Sequence, residues 1–325
     1  MSAALALQGV EKSFGAQRAV DGLDLVIPPG ETCGLIGPSG AGKSTAIRII
    51  MSILFPDAGQ VEVLGRPSAL DAKDRIGYLP EERGVYRKMR VGAFLKYLAG
   101  LKGLGEAESL KRSGALLERL GLPDVLGRKC EDLSKGMLQR VQFVGCLVHQ
   151  PQLLILDEPF SGLDPVSVRL LKDLIADERR RGTTILFSTH VMAQAEELCD
   201  RVVMIHKGQK VLDEPMANLR RQYDRSRVLF EPLEPRAGDA EALRAMAGVV
   251  RVAGQDGGFE LHLDAGTDPA AVMREVVARI VPARVEIARL RLEDMFVDIV
   301  RRETGGESVE ALRHHLQGLT SGETQ

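Results

Sequence analysis

Gly37-Pro38-Ser39-Gly40-Ala41-Gly42-Lys43-Ser44-Thr45 is the stretch of this 325-residue chain with the plainest chemistry. It fits G-x-x-x-x-G-K-S/T, in which glycines let successive backbone N–H groups converge on a polyphosphate that a Cβ would keep away. Lys43 supplies a point charge for the outer phosphates, Ser44 a hydroxyl for Mg2+, and Thr45 a cap for the first helical turn that follows. Two adjacent acids form a second chemical group. Asp157 and Glu158 end the apolar run Leu153-Leu154-Ile155-Leu156, the pattern of a strand buried on both faces, and the carboxyl ends of such strands are where open α/β sheets hold ligands. Asp157 suits a magnesium ion held through water, and Glu158 suits a water polarised for attack on a γ-phosphate. His190 follows the next apolar strand, residues 183–188, at the same sheet edge. There an imidazole can donate to a phosphate oxygen.

These groups need elements to carry them. Cys33-Gly34-Leu35-Ile36 reads as the strand entering the glycine loop, and Ala46-Ile47-Arg48-Ile49-Ile50 as the helix leaving it, its positive end turned to the phosphates. Residues 3–33 read as short alternating strands forming an antiparallel edge, with turns at Phe14-Gly15-Ala16 and Pro28-Pro29-Gly30. Phe14 either stacks on an adenine face or fills the core beside Gly15. Short strands are expected at 59–65 and 75–80, then a charged loop over 81–90. From Val91 to about Gln150 the spacing turns helical, as an insertion within the strand-and-helix domain. Its last helix starts after Ser134, a good N-cap. That helix is either an ordinary capped one, with Leu138, Val141, Val144, Leu147 and Val148 as a single buried stripe, or a second anion site.

Composition narrows the class. A hydrophobic share of 44% is ample for a core with a smaller companion domain. Lys and Arg total 43 against 45 acids, a net charge of −2, so no global basic field recruits nucleic acid or an anionic membrane. Cys33, Cys130, Cys146 and Cys199 lack metal-ligand spacing and read as free thiols in a reducing compartment. No apolar run approaches the roughly 20 residues that span a bilayer, and the first residues do not read as a leader.

In order, the phosphate loop, Leu133-Ser134-Lys135-Gly136-Met137, Leu153-Leu154-Ile155-Leu156-Asp157-Glu158, Ser161-Gly162-Leu163-Asp164 and His190 together resemble the nucleotide-binding subunit of ATP-binding cassette (ABC) transporters, over about residues 4–222. The resemblance implies an α/β P-loop NTPase: a RecA-like core with an antiparallel edge sheet and a helical subdomain, spanning 1–225 with the subdomain at about 85–150. It implies ATP and Mg2+, and head-to-tail pairing with a second copy or a paralogous ATPase subunit around two ATP molecules. Ser134 and Gly136 would then bind the γ-phosphate held by a partner subunit's Lys43, and Asp164 would communicate across the interface. Glu158 would be the general base, His190 the γ-phosphate sensor and Phe14 the adenine stacker, where a hydroxylated aromatic is more usual. The chain departs from the pattern at Glu81, in Tyr78-Leu79-Pro80-Glu81, where the family carries a glutamine. As a carboxylate, Glu81 can contact the magnesium or its water. Lys135 and Met137 also replace two members of the usual Leu-Ser-Gly-Gly-Gln, and Met137 cannot make an amide's hydrogen bonds.

The same resemblance implies the function: ATP hydrolysis that powers export through a separate, polytopic membrane permease, with this subunit cytoplasmic and peripheral on the inner face of the cell membrane. In it Tyr86, Arg87 and Met89 would meet the permease, and no nucleic acid is expected. A soluble cassette ATPase acting on ribosomes or DNA would usually carry tandem cassettes or a long coiled coil. A P-loop small-molecule kinase would not account for Asp157-Glu158 together with His190 and the Ser134 helix.

Residues 226–302 read as an accessory α+β domain after a linker at 224–226. Strands at Val228-Leu229-Phe230, 249–252, 259–263 and 285–287 alternate with a helix over 239–246 capped by Asp239, and another opened by Asp268-Pro269. Leu292, Met295, Phe296 and Ile299 give a last helical stripe. The order suggests a ferredoxin-like fold and resembles the short C-terminal extension of some exporter-type subunits, whose role as regulator, dimer contact or stabilising addition stays open. The composition of 303–325 reads as a mobile tail, with at most one short helix near 309–316.

Overall fold

The computed structural model describes residues 3–304 apart from 83, 224–226, 256, 265 and 289–290, so the expected linker and the tail with its short helix lie outside the described residues. Two compact units divide the chain: residues up to Asp213 together with those from Met295, and Glu214–Asp294. The sequence-based boundaries at 225 and 302 group residues 214–223 and the last helix the other way.

In the first unit, β1 (Leu5–Phe14) and β2 (Gln17–Ile27) form an antiparallel hairpin, and β4 (Ala58–Val63) pairs with the other side of β1. At 10 and 11 residues the hairpin strands are longer than expected, and the turns fall at the expected glycines. A second sheet has the order β5-β6-β7-β3-β8-β9. Its members are β3 (Thr32–Ile36), β5 (Ile76–Leu79), β6 (Leu153–Asp157), β7 (Thr184–Thr189), β8 (Arg201–His206) and β9 (Gln209–Pro215). The pairs β5/β6, β6/β7, β7/β3 and β3/β8 are all parallel. Every residue of β3, β6 and β7 is buried, as a strand covered on both faces requires. The helices α1 (Lys43–Ile50), α5 (Pro165–Arg180) and α6 (Met192–Leu198) connect these strands. Leu5, Leu7, Leu23 and Leu25 of the hairpin share one apolar core with Ile47, Ile50, Leu35, Ile155 and Leu186.

The helical insertion holds α2 (Val91–Gly100), α3 (Glu106–Arg119) and α4 (Lys135–Leu147). The single-stripe expectation for α4 is corrected: from Gln139 to Leu147 every residue but Arg140 is buried. The reason is that β5, α2, α3 and α5 all pack on it. Its seat on the sheet is tight, since a Cβ built at Gly77 of β5 would lie 2.3 Å from the Cys146 carbonyl oxygen.

The second unit runs α7 (Met216–Tyr223), β10 (Arg227–Pro232), α8 (Asp239–Arg244), β11 (Val249–Gln255), β12 (Gly258–Leu263), α9 (Pro269–Arg279) and β13 (Pro282–Ile287). From β10 the order is βαββαβ, and the antiparallel sheet reads β11-β12-β10-β13, the ferredoxin-like arrangement. Asp268 caps α9, accepting from the Ala270 N–H at 3.0 Å. Asp239 does not cap α8. Gly238, at φ 108°, holds the N-cap, and the Asp239 carboxylate instead accepts the Arg236 N–H at 2.9 Å. The last helix, α10 (Leu292–Thr304), crosses back into the first unit at Met295, where the Phe296 ring meets His206 edge-on at 5.6 Å.

Gly77→Ala should destabilise the chain by about 1–3 kcal/mol, because backbone cannot yield to a Cβ as a flexible side chain can. A urea midpoint that falls at constant m-value checks it.

Candidate functional site

Four adjacent strands of the parallel sheet, β5, β6, β7 and β3, end side by side, and their carboxyl ends carry the predicted chemistry. The phosphate loop leaves β3 pressed against its neighbours. A Cβ at Gly37 would sit 2.2 Å from the Ile205 carbonyl oxygen, and one at Gly42 (φ 111°) 2.1 Å from that of Ala19. Gly208, in the turn between β8 and β9, donates its N–H to the Ala41 carbonyl at 2.9 Å. Ser39 and Gly40 are left exposed at the tip. Thr45 lies inside α1 and does not cap it. The N-cap is Gly42, which has no side chain to take the first-turn N–H groups, so these stay directed at the loop.

Lys43 is 6% exposed, and its ammonium donates to the carbonyls of Gly37 at 2.8 Å and Pro38 at 3.0 Å. Burial lowers its pKa, while Glu158, Asp157 and Glu81 pull it back up. Ser44 donates to Asp157 Oδ1 at 3.2 Å. Asp157 is 2% exposed, and burial raises its pKa against hydrogen bonds from Ser188 and Ser44. Among the described residues no three His, Cys, Asp or Glu side chains gather as a metal cage. The hydroxyl–carboxylate pair at Ser44 and Asp157 instead fits Mg2+, which takes one or two protein oxygens and leaves the rest to water and phosphate.

Glu158 has a left-handed backbone at φ 48°, a strained conformation for a residue with a Cβ. The turn sends its carboxylate to His190, whose Nδ1 lies 2.9 Å from Oε1. That hydrogen bond raises the His190 pKa, with burial opposing. Glu81 is exposed just past β5, close enough for its charge to reach both Lys43 and His190. Phe14 is 51% exposed at the tip of the hairpin, with the Lys12 ammonium 5.9 Å from its ring centre, which removes the core alternative.

The structure thus gathers Lys43, Ser44, Asp157, Glu158 and His190. The hydrogen bonds of Ser134 and Asp164 stay at their own helix ends. Ser134, exposed, accepts the Met137 N–H at 3.3 Å, and Asp164 accepts the Ser167 N–H at 2.9 Å and its hydroxyl at 2.6 Å. The two segments adjoin: a Cβ at Gly136 would lie 3.5 Å from Leu163, and Gln139 donates to the Pro159 carbonyl at 2.7 Å. The sequence alone does not single out Ser188. Fully buried in β7, it donates to Asp157 Oδ1 and accepts the Glu158 N–H at 3.1 Å. The signal is a hydroxyl near the end of an apolar strand, two residues before His190.

Residues 20–161 match the family described as ABC transporter, and residues 215–300 match the C-terminal domain described as ATP-binding protein DrrA1-3-like. The uncharacterized ABC transporter ATP-binding protein YhaQ of Bacillus subtilis is 45% identical over 69% of this chain and 75% of its own length. Nod factor export ATP-binding protein I of Paraburkholderia xenovorans is 36% identical over 65% of this chain and 70% of its own. A solved ATP binding subunit of an ABC transporter superposes with a TM-score of 0.63 at 33% identity, covering 67% of this chain and 92% of that one. With its phosphate loop, paired acids and histidine at one sheet edge, the chain belongs to the ABC transporter family as an ATP-binding subunit.

Proposed function

We propose that this subunit hydrolyses Mg-bound ATP to drive export through a separate membrane-spanning permease, working as a dimer with a second copy or a paralogous ATPase subunit. The observation that carries the reading is the Glu158–His190 pair set beside Lys43, Ser44 and Asp157. Export is supported by the relative that is a Nod factor export ATP-binding protein. Membrane association would come from the permease, since among the described residues no helix is long and apolar enough to cross a bilayer.

In this reading Lys43 and the first-turn N–H groups of α1 bind the outer phosphates, and Ser44 and Asp157 hold the metal. Magnesium, when bound, neutralises charge developing on the phosphates. Glu158 accepts the proton of the attacking water. The Glu158 hydrogen bond raises the His190 pKa, and in its protonated form the ring would donate from both nitrogens, one to Glu158 and the other to a γ-phosphate oxygen. Glu81 reaches the metal's water. Phe14 offers an exposed face to adenine. Ser134, Gly136 and Asp164, exposed or at helix ends, serve the nucleotide of the partner subunit. Residues 81–90 carry the permease contact through Tyr86, Arg87 and Met89. That loop is tied to the segment preceding Ser134, since Arg87 and Met89 carbonyls accept the Glu131 and Cys130 N–H groups, both at 2.9 Å.

Glu158→Gln should still bind ATP but lose roughly 10²–10⁴ in turnover, read as phosphate release. The His190–Glu158 contribution to stability should be full below about pH 6.5, the ordinary histidine value, and vanish as pH rises through the raised folded value. Melting curves of wild type and His190→Gln across that range should therefore differ most on the acid side and converge on the alkaline side. Arg87→Glu should leave nucleotide binding intact and weaken recovery of the subunit with membranes that contain its permease. Undiminished recovery and transport would remove the loop from the contact.

A further inference from the structure

Behind the two acids, Ser188 makes a pair of hydrogen bonds that the reaction scheme above does not use. It is fully buried and sits opposite Asp157 in the parallel register of β6 and β7. Its hydroxyl proton goes to Asp157 Oδ1 at 2.5 Å, and its oxygen accepts the Glu158 N–H at 3.1 Å. The Ser188 carbonyl takes the same N–H at 3.3 Å. One hydroxyl therefore serves both neighbouring acids, as donor to a side chain and as acceptor from a backbone.

We infer that Ser188 is a positioning residue for the reaction, fixing the Asp157 carboxylate for the metal and the left-handed peptide of Glu158 for the attacking water. The inference rests on the proposed function and deepens it.

Asp157 Oδ1 receives two hydroxyls, from Ser44 at 3.2 Å and from Ser188 at 2.5 Å. When Ser44 turns a lone pair to a cation it keeps its one proton, so its hydroxyl is shared between the cation and Asp157, whereas Ser188 gives its proton to Asp157 alone. Ser188 donates from within β7, paired with Asp157 across the sheet. It makes the shorter of the two hydroxyl bonds to a carboxylate that is 2% exposed, and it holds the rotation of that carboxylate toward the loop. At Glu158 the backbone is held at φ 48°, where a peptide persists only if its surroundings insist on it. The bond to Ser188 supplies that insistence and aims the Glu158 side chain at His190, 2.9 Å away. Alanine at 188 would remove both hydroxyl bonds and leave the Glu158 N–H only the 3.3 Å bond to the carbonyl, cysteine would weaken both, and threonine would keep a hydroxyl.

The test compares wild type, Ser188→Ala, Ser188→Thr and Glu158→Gln in the full-length protein. A fluorescent ATP analogue is titrated in EDTA and then at rising Mg2+, with hydrolysis measured alongside. Binding in EDTA should stay within about twofold of wild type for Ser188→Ala, while its Mg2+ half-saturation rises and its kcat falls, each about 10–100-fold. Ser188→Thr should recover most of both. If the alanine variant does not fold, Ser188→Cys carries the same comparison, with the same losses expected. Unchanged Mg2+ half-saturation and kcat in the folded variant would overturn the inference, as would equal loss of nucleotide binding with and without metal, the mark of mere structural support. Wild type without Mg2+-dependent hydrolysis, or Glu158→Gln hydrolysing at the wild-type rate, would instead overturn the functional reading and the inference with it.

Discussion

The site depends on backbone packed against backbone at the phosphate loop. Gly37 and Gly42 lie so close to the Ile205 and Ala19 carbonyl oxygens that no side chain fits at either position. The loop is therefore held from outside, by β8 on one flank and β2 on the other, and not by its own side chains. A loop held this way keeps its N–H groups aimed inward before any anion arrives, so ordering costs little at binding. The antiparallel hairpin is part of this grip. Ala19 belongs to β2, whose apolar side chains share a core with α1 and the parallel sheet.

Electrostatics build on that frame. Lys43, Asp157 and Glu158 stand in a space with little water, where charges act strongly on one another and desolvation moves both lysine and aspartate toward their neutral forms. Each charge is answered by a neighbour: loop carbonyls for Lys43, hydroxyls for Asp157, an imidazole for Glu158. The arrangement places donors and acceptors around one point while leaving none of these buried charges unpaired.

Much of this was legible in residue order. The glycine spacing of the phosphate loop, the acids closing an apolar run and the histidine after the next strand mark strand ends, and parallel strands bring their ends together whatever loops intervene. Side-chain roles inside regular elements were harder to see. Ser188 reads as one more small residue in a strand until the register sets it opposite Asp157. Thr45 follows the loop as a cap would, but Gly42 already turns the chain into the helix. Periodicity counts apolar residues on one face and so gives α4 a single stripe, whereas four elements cover this helix. At α8 a glycine with positive φ took the place expected of Asp239.

Met295 and Phe296 are buried and group with the first unit although the whole ferredoxin-like unit separates them in sequence from Asp213. The accessory unit is thus an insert rather than an appendage. Cutting the chain after Asp213 would remove residues that group with the ATPase unit and take away the Phe296 ring that meets His206. An ATPase shortened without that injury would need residue 213 spliced to 295 through a bridging peptide, so the minimal enzyme is not a simple N-terminal fragment.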